Sequence, residues 1–199
     1  MSERGTFLVF EGVDVSGKST QARRVADLHD ALFTFEPGDT PLGVGLRRLV
    51  LDAATAMEPQ TEALLMLSDR SHHVDSVIEP ALAAGRSVVS DRYFASTLAY
   101  QGYGRGVDLA LLRSASDLAI GSCRADLTIL LDLPIEAVNE RRAHDQKDRF
   151  ESADLSFHER VREGYLELAE HEGWVVVDAA PSVEVVAAVI DSHIAHLPW

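Results

Sequence analysis

Short apolar runs alternate with longer amphipathic segments along the chain. The apolar runs cover 6–11, 87–91, 127–132 and 174–178, and a less uniform run covers 32–36. Short runs rich in β-branched residues, without a polar face, are typical of strands buried on both sides of a parallel sheet. The pattern therefore predicts a parallel sheet of about five strands.

The segments between these runs have the spacing of helices. Helices are predicted from the vicinity of Lys18 onward and over 42–52, 59–85, 107–121, 134–144, 154–172 and 181–196. Strands that alternate with helices form an α/β fold, in which a doubly wound parallel sheet carries helices on both faces. The chain has 199 residues, the size of one such domain, and we expect a single domain over residues 1–199.

The turn after the first strand carries a specific motif. Residues 12–19 read GVDVSGKS, which matches the P-loop pattern Gly-x-x-x-x-Gly-Lys-Ser between a predicted strand and a predicted helix. In such a loop, backbone N–H groups and the helix N-terminus face the phosphates of a nucleotide, and Ser19 offers a hydroxyl to Mg²⁺. The motif predicts a nucleotide-binding site that includes Lys18.

Two charged residues end the predicted strand at 87–91. Asp91 and Arg92 lie at the carboxyl edge of the sheet, where open parallel sheets bind their ligands. Asp91 is a candidate ligand for Mg²⁺, and Arg92 is a candidate partner for a second anionic group or the transferred phosphoryl group. The alternative is a salt-bridged strand end that caps the next helix.

Arg70 lies among the apolar positions of the predicted helix at 59–85, with Met66 one turn earlier. A guanidinium on the inward face of a helix needs an anionic partner. That partner is either a carboxylate of the protein or the phosphate of a substrate whose apolar part lies against Met66. The adjacent His72 and His73 have no companions at metal-binding spacing and are interpreted as ordinary helix residues.

Residues 143–152 are polar and lack apolar periodicity. The positive residues in and just before this stretch are Arg141, Arg142, Lys147 and Arg149. One interpretation is a mobile lid over about 142–152 that neutralises a migrating phosphoryl group and excludes water. The other interpretation is a solvated charged loop.

The overall charge narrows the class of ligand. A formal net charge of −14 argues against nonspecific binding to nucleic acid or to anionic membranes, because both need a basic face. The single cysteine, Cys123, permits no internal disulfide, and the sequence contains neither a secretory leader pattern nor a long apolar stretch. We expect a cytoplasmic protein that holds anionic ligands with local positive groups.

Eight segments carry a resemblance to a known family. In order, they read FEGVDVSGKST, EPGDTPLG, LSDRSHHV, EPALAAG, SDRYFASTLAYQGYGRG, RADLTILLDL, DRFE and FHERVREGYLELA. They resemble the thymidylate kinases, also called dTMP kinases. The resemblance implies a P-loop nucleoside monophosphate kinase fold with a short lid, phosphorylation of dTMP to dTDP with ATP and Mg²⁺, and a homodimer.

The resemblance also implies roles for single residues. The residues implied to bind ATP are Gly12, Val13, Asp14, Val15, Ser16, Gly17, Lys18, Ser19 and Thr20. The residues implied to bind dTMP are Asp14, Pro37, Met66, Arg70, Arg92, Thr97, Tyr100 and Gln101. Asp14 would approach the 3′-hydroxyl, and Arg70 and Arg92 would hold the phosphate and the base edge. Thr97 would face thymine, and Tyr100 with Gln101 would line the deoxyribose. The candidate catalytic residues are Lys18, Asp91, Arg92, Arg142 and Arg149, and the candidate metal ligands are Ser19 and Asp91.

Several positions depart from the family's usual pattern. Met66 stands where a phenylalanine usually stacks on thymine, and Phe35 stands where many bacterial members have arginine. Val15 stands where some members carry a catalytic arginine, so the resemblance implies that Arg142 and Arg149 supply this charge. The sequence leaves open a kinase for another nucleoside monophosphate and a non-catalytic nucleotide-binding relative.

Overall fold

A five-stranded parallel sheet forms the centre of the part of the chain that the structure describes. The computed structural model describes residues 4–52, 54–141, 150 and 154–199. The strands are β1 Phe7–Glu11, β2 Leu32–Phe35, β3 Val88–Asp91, β4 Leu127–Asp132 and β5 Val175–Asp178. Their order is β2-β3-β1-β4-β5, with every pair parallel. The predicted parallel sheet is confirmed.

Helices connect the strands. The α-helices of the described residues are α1 Lys18–Leu28, α2 Pro41–Leu51, α3 Pro59–His73, α4 Glu79–Ala83, α5 Phe94–Thr97, α6 Leu109–Ile120, α7 Ile135–Arg141, α8 Leu155–Glu172 and α9 Val183–Ile194. Most predicted helices agree with these bounds within two residues, whereas the last part of the helix predicted at 134–144 lies outside the described residues. None of the helices that the structure describes combines the length and apolar content that a membrane span requires.

The predicted helix at 59–85 is not one regular α-helix. Between α3 and α4, residues Val74–Ile78 form a wider π-type turn. Pro80 follows this turn in the first turn of α4. Proline has no N–H to donate, and its ring crowds the carbonyl one turn earlier, so a regular α-helical ladder cannot pass through it.

A helical segment after β3 was not predicted from the sequence. Helix α5 continues into a π-type helix at Leu98–Gly104. Its glycines and aromatic residues have weak helix propensity, and close packing against α8 stabilises it instead. A Cβ atom at Gly104 would lie 2.6 Å from Phe157 and 2.8 Å from Val161. Only a glycine allows α8 to approach this closely.

The position of β1 determines where a ligand can bind. This strand is buried along its whole length and pairs with β3 on one side and β4 on the other. The chain leaves β1 at Glu11, beside the end of β3 at Asp91, since Phe10 and Asp91 are register partners. The loops after these strands therefore meet at the point where the strand order reverses.

Replacement of a buried residue tests the position of the hydrophobic core. Leu130 on β4 is 1% exposed, whereas Leu28 on α1 is 61% exposed. We expect Leu130→Ala to lower the free energy of unfolding by about 2–5 kcal/mol because it leaves a cavity. Leu28→Ala should change it by less than about 0.5 kcal/mol. Equal losses in urea unfolding would contradict the position of the core.

Candidate active site

The P-loop forms a tight turn between β1 and α1. Gly12 has φ 142°, and a Cβ there would lie 2.5 Å from the carbonyl oxygen of Leu131. Lys18 donates from Nζ to the carbonyl oxygen of Val13 at 2.7 Å. Burial, reinforced by the nearby charge of Arg92, lowers the pKa of Lys18 to about 8. The loop is therefore a cradle for an anion at the N-terminus of α1, and bound phosphates would favour the charged form of Lys18.

Two oxygen-bearing side chains lie together beside this cradle. Ser19, in the first turn of α1, donates from Oγ to Oδ2 of Asp91 at the end of β3. Oδ1 of Asp91 is buried and has no hydrogen-bond partner among the described residues. Mg²⁺ is commonly held by a hydroxyl or carboxylate of this kind, with the remaining positions taken by phosphates and water. The pair therefore fits Mg²⁺.

Two adjoining cavities open at the carboxyl edge of the sheet. The first, which we call the acceptor cavity, is lined by all eight residues expected to bind dTMP: Asp14, Pro37, Met66, Arg70, Arg92, Thr97, Tyr100 and Gln101. The second, the P-loop cavity, is lined by Asp14, Val15, Gly17, Lys18, Ser19, Thr20 and Asp91 together with residues of β2 and α2. Gly12, Val13 and Ser16 belong to the loop but do not line it. Four residues border both cavities, so the two cavities adjoin at these side chains: Asp14, Glu36, Arg47 and Arg92.

Arg92 occupies the junction of the two cavities. It has φ 75°, a left-handed conformation that costs a non-glycine residue energy and recurs at functional sites. Its Nη1 donates to the carbonyl oxygen of Gly12 at 3.0 Å. Its Nη2 donates to Asp14 Oδ1, and to the hydroxyl of Tyr100 at 3.2 Å. These contacts tie the strained residue to the P-loop and to the acceptor cavity.

Arg70 is fully enclosed in a network of protein groups. Its Nε donates to Glu36 Oε2 at 2.7 Å, one Nη to Thr97 Oγ1 at 2.8 Å and the other to the carbonyl oxygen of Tyr93 at 2.9 Å. The sequence allowed either a protein carboxylate or a substrate phosphate as the partner of Arg70, and in the structure the carboxylate of Glu36 is in contact with it. Arg70 also lines the acceptor cavity, so the pair orients a guanidinium at its wall.

Comparisons with known proteins agree with this geometry. The family model for thymidylate kinase matches residues 10–190. The chain is 46% identical to the thymidylate kinase of Desulforudis audaxviator (strain MP104C) over 198 residues, which cover 94% of this chain and 88% of the relative. The chain belongs to the thymidylate kinase family.

A second relative and a solved structure extend the comparison to nearly the whole chain. The thymidylate kinase of Halothermothrix orenii is 42% identical over 190 residues, covering 91% of this chain and 92% of the relative. The crystal structure of thymidylate kinase from Ehrlichia chaffeensis superposes with a TM-score of 0.79 at 28% identity, covering 96% of this chain and 99% of that one. The P-loop kinase fold predicted from the sequence is thus shared with the thymidylate kinases.

Sequence reasoning missed several residues of this thymidylate kinase site. His73 is not an ordinary helix residue: it is 1% exposed, contacts Glu36 Oε1 through Nδ1 at 2.9 Å, and contacts Thr34 through Nε2. Arg47 of α2 borders both cavities and donates to the carbonyl oxygen of Pro37 at 2.6 Å. The only signal in the sequence was His73 lying three residues after Arg70, on the same side of the helix.

The predicted lid falls mostly outside the described residues. Arg142, Lys147 and Arg149 are not among them. Arg141 is described, and it bridges the P-loop to the loop after β5 by donating to the carbonyl oxygens of Val15 at 3.1 Å and Ala179 at 2.9 Å. Phe150 lines the acceptor cavity, and its ring packs edge-on against the ring of Tyr100, with the ring centroids 5.6 Å apart.

The carboxylate of Glu36 gives a pH-dependent prediction. Burial alone would raise its pKa, but the charge of Arg70 and the hydrogen bonds from His73 and Arg70 lower it overall. A carboxyl whose pKa is lowered by folding stabilises the fold above its unfolded pKa, about 4.3, and loses this contribution as the pH falls. Glu36→Gln should therefore lower the free energy of unfolding by about 3–5 kcal/mol at pH 7, because it leaves Arg70 buried without a counter-charge.

The difference in the free energy of unfolding between the wild type and Glu36→Gln should become smaller as the pH falls below about 4.3, because Glu36 then becomes protonated. Urea unfolding at a series of pH values measures it, and the exposed Glu170 provides the matched Glu170→Gln control, which should change stability little. A Glu36→Gln loss that stays constant into the acid range would contradict the lowered pKa.

Proposed function

We propose that this protein transfers the γ-phosphoryl group of ATP to the phosphate of dTMP, giving ADP and dTDP. The observation that carries the proposal is the junction of the two cavities at Asp14 and Arg92. A phosphoryl donor on the P-loop and an acceptor phosphate in the neighbouring cavity would meet there without crossing solvent. Direct in-line transfer needs this proximity and no protein nucleophile.

The donor side follows from the P-loop. The backbone N–H groups of residues 12–20 and the N-terminus of α1 would hold the ATP phosphates, with Lys18 contributing its charge to the β and γ groups. Ser19 and Asp91 would hold Mg²⁺, which supplies positive charge to the same phosphates when it is bound. The unpartnered Oδ1 of Asp91 supports this assignment.

The acceptor side follows from the lining of its cavity. Arg70 and Thr97, already hydrogen-bonded to each other, would present donors to the base edge, and the Met66 thioether would cover its face. The hydroxyl of Tyr100 lies 3.1 Å from Asp14 Oδ2. With Asp14 on the 3′-hydroxyl and Tyr100 against the neighbouring carbon, a ribose 2′-hydroxyl has little room, which favours a deoxynucleotide.

Positive charge at the junction would come from three sources. Arg92 would bind the acceptor phosphate and Arg47 borders the same space, while Val15 cannot supply a charge from the P-loop. We therefore assign the remaining charge on the migrating group to Arg142 and Arg149 of the lid. Neutralising that charge in a closed site is the main way in which such enzymes lower the barrier.

Removal of the P-loop lysine tests the chemistry. We expect Lys18→Ala to lower dTMP-dependent ADP release by about 10²–10³-fold, because one preorganised charge is lost from the transferring phosphates. The control is Arg86→Ala, an exposed residue that lines neither cavity. Undiminished turnover of dTMP by Lys18→Ala would contradict the proposed mechanism.

A nucleotide panel tests the substrate and its main rival. Met66 in place of an aromatic ring is the observation that favours a kinase of broader acceptor range. ADP release with dTMP, dUMP, dCMP and UMP should be fastest for dTMP and slowest for UMP, whose 2′-hydroxyl faces Tyr100. Turnover of another nucleotide equal to that of dTMP would assign the enzyme to that nucleotide instead.

We further propose a cytoplasmic homodimer that acts on free nucleotides. The helices α2, α3 and α6 pack side by side and leave large apolar residues exposed: Leu42, Leu49, Leu64, Leu111 and Leu118. Exposed apolar surface of this kind is typical of protein interfaces. The acidic chain, with a net charge of −14, offers phosphates only local positive groups and does not suit a nucleic-acid partner.

Sedimentation velocity tests the dimer. The wild-type chain should sediment as a dimer, and Leu64→Glu should shift it toward the monomer because a charge would be buried at the centre of the interface. Leu28→Glu, on α1 away from this face, is the matched control and should remain a dimer. A monomeric wild type at micromolar concentration would exclude the proposed assembly.

A further inference from the structure

Three side chains from separate elements form a hydrogen-bonded cluster behind Arg92. Glu11 ends β1, Ser96 belongs to α5 and Tyr165 to α8. Oε2 of Glu11 accepts from Ser96 Oγ at 2.7 Å and from the Tyr165 hydroxyl at 3.1 Å. Its Oε1 accepts from the backbone N–H groups of Tyr93 at 2.8 Å and Ser96 at 3.2 Å. We call Glu11, Ser96 and Tyr165 the Glu11 cluster.

Both hydroxyls of the Glu11 cluster also contact Arg92. Nη1 of Arg92 lies 3.0 Å from Ser96 Oγ and 3.0 Å from the Tyr165 hydroxyl. A carboxylate can only accept hydrogen bonds and a guanidinium can only donate them. A hydroxyl can therefore link the two groups by giving its hydrogen to Glu11 and turning a lone pair toward Arg92. The two hydroxyl oxygens also lie 2.8 Å apart, so one hydroxyl can donate to the other while the second donates to Glu11. In either arrangement the hydroxyls connect the carboxylate to the guanidinium.

Arg92 makes a second set of contacts on the side of the guanidinium opposite the Glu11 cluster. Nη2 of Arg92 donates to Asp14 and Tyr100 in the acceptor cavity, where a substrate would compete for the same groups. Glu11 is 0% exposed, and neither Glu11 nor Tyr165 lines the acceptor cavity, whereas Ser96 does. When Asp14 or Tyr100 turns to a ligand, only the Nη1 contacts keep the guanidinium in place.

We propose that Tyr165 is a positioning residue for phosphoryl transfer: together with Ser96, it links the buried carboxylate of Glu11 to Arg92 and fixes the direction in which Arg92 meets the acceptor phosphate. This rests on the proposed function, because the acceptor phosphate is assigned to Arg92. Tyr165 is 1% exposed and does not line the acceptor cavity, so its hydroxyl acts through Arg92 rather than on the substrate.

The test removes one oxygen atom and keeps the ring. Tyr165→Phe should lower kcat/KM for dTMP about tenfold, the effect of losing one hydrogen bond to a charged group, and should leave the KM for ATP within about twofold. Tyr103→Phe is the matched control, because Tyr103 packs on α8 at the adjacent Gly164 and lines neither cavity. An equal loss in Tyr103→Phe, or no loss in Tyr165→Phe, overturns the proposal.

A double-mutant cycle separates positioning from a general structural effect. In an Arg92→Lys background, Tyr165→Phe should reduce kcat/KM by less than about twofold, because the group it positions is gone. A full tenfold loss in that background would show that Tyr165 acts by another route. Ser96 lines the acceptor cavity, so Ser96→Ala is compared with Tyr165→Phe in urea unfolding, where substrate plays no part and its loss should likewise not add to that of Arg92→Lys.

The same cycle measured on urea unfolding does not depend on any substrate. The losses in the free energy of unfolding for Tyr165→Phe and Arg92→Lys should not add, since both remove one shared contact. Additive losses would overturn the proposal even if dTMP is turned over. If the wild type fails to turn over dTMP, the proposed function fails, and non-additive losses would still establish the link between Tyr165 and Arg92.

Discussion

The burial of positive charge at the carboxyl edge of the sheet is the constraint on which the rest of the site depends. Arg92 follows β3 directly and lies between the P-loop and the acceptor cavity. A buried guanidinium requires negative charge and hydrogen-bond acceptors nearby. The parallel pairing of β1 with β3 meets this requirement, because it brings Glu11 and the P-loop residues Gly12 and Asp14 to the same edge.

Arg70 follows the same rule with a different carboxylate. Glu36, just beyond β2, accepts from Arg70 with one oxygen and contacts His73 with the other. Arg70 and Arg92 are thus each held by a carboxylate of the protein, whereas Arg47 donates to the carbonyl oxygen of Pro37. The two guanidinium groups are oriented before a nucleotide arrives, so binding needs little reorganisation of the charges, which is the condition for strong electrostatic catalysis.

Local patterns predicted the elements that depend on local sequence. The strands follow from β-branched runs, and the P-loop follows from a spacing that only a strand-turn-helix satisfies. The helical turn at Leu98–Gly104 was not predictable in this way, because its stability comes from packing against α8, 50 or more residues later. The same holds for Glu11 and His73. In the sequence they occupy ordinary strand and helix positions, and their buried hydrogen bonds are made to residues that are distant along the chain.

Asp14 connects the binding of the acceptor to the chemistry of transfer. It is bonded to Arg92 through Oδ1 and to Tyr100 through Oδ2. In the proposed function, a sugar hydroxyl of dTMP that donates to Oδ1 would weaken the hold of Asp14 on Arg92. The guanidinium would then have an N–H group to offer to the acceptor phosphate, while the Glu11 cluster would retain its other side. A nucleotide that lacks the sugar contact would leave Arg92 paired with Asp14, so recognition of the sugar and activation of the phosphate depend on one carboxylate.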